Sequence, residues 1–364
     1  MEENREPLSA IAIEKKLQLL RNKHFSEDTI ALVKSDYEYG LKEEEISLYL
    51  NKSYDIEQMK ILSECLHKVT FFVTRCFIKW IVFFIKESII VYNMNGGLPM
   101  LVDGHMHLEN GPLTKEYVME FINEAYKQGF DRIQILDHTH RFKEFEVIYQ
   151  GVKEASDQQR EWLANKKMKF KDTLSSYVRL INEVKEEELP IEVLFGLEVC
   201  YVPEYKEEIR RILEPYQFDF LVGAIHSIDG LLYDMPWSKE LLWEKYNVDD
   251  IYHRYYELIF DLVKSDLFTQ LAHPDTIKMF GYYPTYDLKP TYHELAELLV
   301  EHHVKGECNT GCYYRYHHPD KGLSKELLDI FKEHHVDIIT ASDAHKPADV
   351  GTCIKDIYKL CQYD

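Results

Sequence analysis

The chain has 364 residues, 45% of them apolar and 29% charged, a soluble globular balance with room for one large domain beside a smaller one. Its 43 basic side chains against 63 acidic ones give a formal charge of -20. That charge argues against general nucleic-acid binding, yet it permits an anionic substrate, because bound metal cations reverse the local potential.

Residues 1–68 predict a small helical appendage. Ile11–Arg21 has helical periodicity, Ser26 with acidic residues behind it suits a helix N-cap, and Gly40 separates two short helices. Asp55–Leu66 adds another amphipathic helix. Residues 26–67 resemble the short helical repeats found beside unrelated domains, which implies a packing or interaction module. Val69–Tyr92 is apolar, but Arg75, Lys79, Lys86 and Glu87 interrupt it, against the ~20 largely uncharged residues that a spanning helix needs. Its basic residues fall within about 40° of one another on a helix, which suits packing on the main domain or in a homodimer, and makes 69–92 the one candidate membrane contact. Asn93–Pro99 is a linker, so residues 69–99 join the appendage to a domain over 100–364.

From Met100 onward, short apolar runs alternate with periodic helical stretches. The runs are Leu101–Val102, Arg132–Leu136, Ile191–Leu197, Phe218–Ile225, Phe268–Ala272, Val304–Glu307 and Val336–Ala341. Helices are expected over Lys115–Gln128, Lys239–Ser265, Tyr292–His303 and Ser324–Glu333. Strand then helix, repeated, predicts an α/β protein with a parallel sheet closed or nearly closed into a barrel.

Each run ends in residues of metal-ligand type. The first leads to His105 and His107, which an extended backbone turns to one side. Then come Asp137 and His138, Glu198, His226, His273, Glu307 with Asn309, and Asp343 with His345. In a parallel barrel the carboxyl ends of all strands open on one face, so these side chains would meet in one cup. So many imidazoles and carboxylates exceed the four ligands of a single structural zinc. They suit two or three divalent ions bridged by a carboxylate such as Glu198. Histidine and carboxylate without thiolate favour zinc, manganese or iron.

The seven cysteines form no CxxC pair and read as reduced thiols in a cytoplasmic protein. The first residues show no basic region followed by an apolar one, so no secretory signal is visible.

The ordered motifs HMH after Asp103, LDHTH at 136–140, GLEV at 196–199, GAIHSIDG at 223–230, LAHPD at 271–275 and SDAHKPADVG at 342–351 resemble the PHP (polymerase and histidinol phosphatase) superfamily. HTHRFKEF at 138–145 and ECNTGCYYR at 307–315 point to its histidinol-phosphatase branch. The resemblance, over about residues 100–355, implies a distorted seven-stranded (β/α)7 barrel holding three metals. It assigns His105, His107, Glu198 and Asp343 to one ion, His138 and His345 to a second, and Glu198, His226 and His273 to a third. A further histidine usual in the family is missing, and Glu109 is the nearest substitute ligand.

The family's chemistry is hydrolysis of a phosphate monoester, L-histidinol phosphate first, in histidine biosynthesis. Other small phosphorylated metabolites, a phosphodiester, or an interaction module on an inactive barrel are the alternatives. Arg141 and Arg315 are the candidate phosphate-binding cations, because a planar guanidinium pairs with phosphate oxygens. Asp343 would hold the nucleophilic water, and His140 would orient a ligand or protonate the leaving alkoxide. The insertion Arg141–Pro190 is expected to cross outside the barrel and lid the cup. Aromatic residues around Tyr233, Trp237 and Trp243, and around Tyr282, Tyr283 and Tyr286, are expected mainly in packing.

Overall fold

The computed structural model describes residues 13, 16–18, 20–21, 26–39, 46, 60 and 100–362. The chain divides into two compact units, Met1–Pro99 and Met100–Asp364. In the first, helix α1 spans Glu27–Tyr39. Ser26 Oγ accepts from the backbone N–H of Thr29 at 3.2 Å, the expected cap. Ile30, Val33 and Tyr37 are buried, as are Ile13, Leu17, Leu20 and Ile46. The apolar stretch 69–92, the linker 93–99 and most of the helix expected over 55–66 lie outside the described residues. Among the described residues no helix is long and apolar enough to cross a membrane.

The second unit is a nearly closed barrel of seven parallel strands. In sheet order they are β1 (Val102–His107), β2 (Arg132–Leu136), β3 (Glu192–Cys200), β4 (Phe220–Ala224), β5 (Gln270–Leu271), β6 (Lys305–Asn309) and β7 (Ile338–Ala341). The ends of the sheet meet. Thr340 Oγ1 donates to the carbonyl of Val102, and the His107 N–H donates to the carbonyl of Ala344 at 2.7 Å. Gly104 allows that approach, since a Cβ there would stand 2.6 Å from Ile339 Cδ1 and 3.0 Å from the Thr340 carbonyl oxygen. Asp103 fastens the same seam. Its carboxylate accepts from Ser342 N at 2.8 Å, Ser342 Oγ at 2.6 Å and Gly351 N at 2.9 Å.

Helices α2 (Lys115–Gln128), α3 (Leu174–Lys185), α4 (Lys206–Leu213), α5 (Val248–Val263), α6 (Lys289–Glu301), α7 (Lys325–Glu333) and α8 (Ile354–Cys361) alternate with the strands. Local chemistry sets their ends: Thr114 caps α2, and Gly129 ends it at φ 81°, a conformation that glycine adopts without steric cost. The single helix expected over Lys239–Ser265 is instead a short turn followed by α5. Asn247 Oδ1 starts the second piece by accepting from Asp249 N at 2.8 Å and Asp250 N at 3.4 Å.

Two of the expected strands differ in a way that matters for the site. β1 runs through His107, so the first two histidines stand on the strand itself. β3 continues through Glu198 to Cys200, so this glutamate lies within the sheet. Register pairs Glu198 with Val222 and Val222 with Gln270, which puts Glu198, Val222 and Gln270 on one face, the barrel interior. Leu197 and Val199, alternating with it, belong to the main core with Phe121, Ile122 and Tyr177 of the helices.

Candidate metal centre

Six imidazoles and two carboxylates converge at the carboxyl ends of the strands, around Glu198. Its Oε1 lies 3.1 Å from His226 Nε2 and 3.0 Å from His273 Nε2. Its Oε2 lies 2.6 Å from His138 Nδ1 and 3.5 Å from Nε2 of both His105 and His107. Asp343 Oδ1 approaches His107 Nε2 at 3.1 Å, and His345 Nε2 lies 3.3 Å from Glu109 Oε1. Three overlapping donor groups result, each with ligand atoms within 4.8 Å of one another: His107, His138 and His345; His105, His107 and Glu198; and His138, Glu198 and His226. The structure thus brings together every residue expected to bind metal, with Glu109 reaching the cluster through His345. His273 at φ 27° and Asp343 at φ 57° hold left-handed backbone conformations that L-residues rarely adopt. Such geometry persists where the surroundings over-determine it.

Outer partners aim these rings. Glu307 Oε1 lies 2.7 Å from His105 Nδ1, which therefore carries the proton and leaves Nε2 facing the cup. Asp234 Oδ2 does the same for His226, at 2.8 Å from Nδ1. His345 Nδ1 lies 2.6 Å from Arg315 Nη1 and 2.8 Å from the Asp343 carbonyl oxygen, which turns Nε2 toward Glu109 Oε1. In the sequence Glu307 belongs to the series of ligand-type residues at strand ends without being assigned to an ion, and nothing there points to Asp234. The only cue is that each is a carboxylate near a ligand strand.

The donor set fits divalent cations. His105 Nε2 and His107 Nε2 face each other at 2.9 Å. Buried Glu198 Oε2 makes no directed hydrogen bond despite the ring nitrogens around it, and His107 Nδ1 and His273 Nδ1 also lack a partner. Burying a charged oxygen in this state is costly unless a cation claims it. Burial acts to raise the Glu198 carboxyl, but His138, His226 and His105 hold it well below the usual range. Burial, with His138 and His345 beside it, pushes His107 well down, toward the neutral imidazole that binds metal.

His138, His226, His273, Asp343 and His345 of the cluster line a cavity of about 230 Å³, together with Tyr149, Trp162, Lys169, Met235, Arg315 and Tyr316. Arg315, an expected phosphate-binding cation, lines the cavity: Nη2 pairs with Asp343 Oδ2, and its buried Nε has no partner. Arg141 does not. Its side chain is buried, with Nε on Asp172 at 2.7 Å and Nη1 on Asp137 at 2.7 Å and the Leu108 carbonyl at 2.8 Å. Its Nη2 donates to the Gly111 carbonyl at 3.1 Å. With its donors engaged, Arg141 ties the loops after β1 and β2 together and does not line the cavity.

His140 Nε2 stands between Lys169 Nζ at 2.7 Å and Glu109 Oε2 at 3.1 Å. Burial, then the neighbouring ammonium, push its pKa down to about 3, which suits an acceptor and orienting group rather than a proton donor. Lys169 and Trp162 come from the insertion after Arg141, which does line the cup. The signal for them was the run Lys166, Lys167, Lys169, Lys171 in an acidic chain. Of the aromatic segments, Met235 reaches the cavity, whereas Tyr233 and Trp243 are core and Tyr286 stacks on His253.

Residues 103–311 match the PHP domain family. The probable histidinol-phosphatase of Deinococcus radiodurans is 26% identical over 196 residues, covering 52% of this chain and 71% of that one. The histidinol-phosphatase of Bacillus subtilis is 22% identical over 277 residues, 71% of this chain and 98% of the relative. The crystal structure of histidinol phosphate phosphatase from Lactococcus lactis, complexed with zinc, L-histidinol and phosphate, shares the fold with a TM-score of 0.52 at 17% identity. That match covers 73% of this chain and 95% of the other. The chain belongs to the PHP domain family, on its histidinol-phosphatase branch, and carries the metal-binding cluster of a phosphoesterase.

Proposed function

We propose that the protein hydrolyses L-histidinol phosphate to L-histidinol and phosphate, in the cytoplasm, with two or three divalent ions. One observation carries the reading: Glu198, buried and ringed by imidazoles, keeps an oxygen without a hydrogen bond, and three of those rings, His138, His226 and His273, line a small cavity. The ligands would be His105, His107, Glu198 and Asp343 for one ion, and Glu198, His226 and His273 for another. His138, His345 and Glu109 would complete a third. Zinc, manganese or iron suits this donor set. Bound ions would neutralise phosphoryl oxygens and lower the pKa of the attacking water.

The chain's own residues do the positioning. Arg315 offers a guanidinium edge to the phosphate. Burial acts to raise the Asp343 carboxyl, but Arg315 holds it well below the usual carboxylate range, so it stays ionised to orient the water. Asp234, Trp162, Tyr149 and Met235 give the leaving group an acidic and aromatic wall suited to an imidazole and an ammonium. The cavity, about 230 Å³, is below the ~300–1,000 Å³ of drug-sized sites and favours a small ester over a polymer. The histidinol-phosphatases among its relatives, and the L-histidinol and phosphate bound to the Lactococcus protein, support the substrate.

The test is phosphate release from histidinol phosphate beside sugar phosphates, nucleotides and a phosphodiester, with zinc- or manganese-reconstituted protein. A clear preference for histidinol phosphate is expected. Preference for another ester would keep the metal centre and cancel the place in histidine biosynthesis.

A further inference from the structure

The cavity holds two cations, and they differ in how they are partnered. Arg315 has a carboxylate, Asp343, and a ring, His345. Lys169 has neither a carboxylate nor a carbonyl. Its ammonium rests 3.9 Å from the centre of the Trp162 ring and 2.7 Å from His140 Nε2, and among the described residues no acidic oxygen pairs with it. The residue is only 7% exposed. A buried ammonium with no carboxylate paired to it is a costly arrangement, tolerable where an anion arrives to complete it.

The protein also builds the segment that carries this lysine. Lys169 N donates to the Asn165 carbonyl at 2.8 Å, and Phe170 N donates to the His140 carbonyl at 2.7 Å. Phe170 stands at φ 51°, left-handed for a bulky residue, with its ring edge-on to Tyr149. Upstream, buried Gln159 donates to the Gly230 carbonyl at 2.8 Å and accepts from Leu232 N at 2.9 Å, locking the insertion to the short antiparallel pair Ser227–Ile228 and Leu231–Leu232 that follows β4. Downstream, Lys143 N donates to the Asp172 carbonyl at 2.9 Å and Asp172 N to the Arg141 carbonyl at 3.2 Å. Two anchors and a strained residue hold one side chain over the cup.

We propose that Lys169 is a substrate-binding residue that takes a non-bridging oxygen of the phosphate dianion, with Trp162 and His140 holding its ammonium in place until the ester arrives. The assignment rests on the phosphoesterase reading of the same cavity. It gives the insertion a chemical role, the addition of a charge that a phosphate monoester dianion uses more fully than a diester monoanion.

The experiment uses metal-loaded full-length protein and inorganic phosphate as the probe, titrated by calorimetry, with KM and kcat for the best monoester measured beside it. K169M is expected to weaken phosphate binding by about tenfold or more, the loss of one charge-assisted hydrogen bond. KM should rise with it, at unchanged metal content. K169R should restore most of the affinity, and K167M, an alteration in the same basic run outside the cavity, should leave it at the wild-type value. K169Q, which still donates to His140, guards against a variant that fails to fold and should show the same loss. Phosphate binding in K169M or K169Q within about twofold of wild type would overturn the assignment. The two readings fail separately. Wild-type protein that hydrolyses monoesters while K169M binds phosphate normally sinks the lysine alone; wild type that binds phosphate through Lys169 yet hydrolyses no monoester sinks the activity alone.

Discussion

The barrel interior buries two glutamates, on β3 and on β6, and their surroundings contrast. Glu307 on β6 is closed by protein donors: His105 Nδ1 at 2.7 Å, Gln270 Nε2 at 2.8 Å, His273 N at 3.0 Å and Asn309 Nδ2 at 3.1 Å. Glu198 on β3 meets only ring nitrogens, and one of its oxygens satisfies no hydrogen bond. Equal burial thus serves opposite ends. A carboxylate supplied with donors is a structural post, whereas one surrounded by groups that themselves offer lone pairs is a place for a cation.

Variants that exchange the two conditions test this contrast. The largest effect is expected from E198Q, which removes the shared charge: metal content should fall and hydrolysis should drop more than about 100-fold, beyond the usual loss for an outer partner. Elemental analysis and initial rates would check it, and an E198Q protein with full metal content would break the comparison. E307Q should act indirectly. It frees His105 to turn and sets an amide N–H against existing donors, so metal affinity is expected to weaken by about 10–100-fold, measured by competition with a chelating dye. D234N, which spares Glu198 and loosens only the aim of His226, should cost about tenfold at the low end of that range. Least in size, a chelator should lower the melting temperature of wild type while leaving E198Q almost unmoved, because only a protein that binds the ions gains stability from them.

Much of this contrast was legible in the residue order, and some was not. His105, His107, His138, His226, His273, Asp343 and His345 could be read as one site because a parallel barrel collects strand ends on one face, whatever their separation in the chain. Glu198 was identified as a bridging candidate, but its position inside β3 depends on how far the sheet extends, which pairing with Phe220–Ala224 decides. Arg141 and Lys169 show the harder case. Both are cations of the same insertion, and sequence favoured the one beside the HTH motif. Packing gave Arg141 to Asp137 and Asp172 and turned Lys169 into the cavity. Which cation is paired depends on acids brought up by chain folding over some thirty residues, and no local period encodes that. Lys239–Ser265 kept its periodicity across a break that only the capping side chain of Asn247 reveals.

The seam between β1 and β7 has a consequence for how the protein comes into being. Asp103 and Ser342 are 239 residues apart, and the candidate ligands His105, His107, Asp343 and His345 sit on the two sides of that seam. During synthesis the first strand leaves the ribosome long before its neighbour exists, so the early barrel carries an open edge and lacks Asp343 and His345. Closing so long a loop adds entropy cost only logarithmically, but it makes the last contacts the most non-local ones and slows folding. On the proposed metal reading, loading would then come late: a nascent chain stalled before β7 lacks the oxygen and nitrogen donors of Asp343 and His345. It would remain metal-poor and open to proteolysis until the final strand docks.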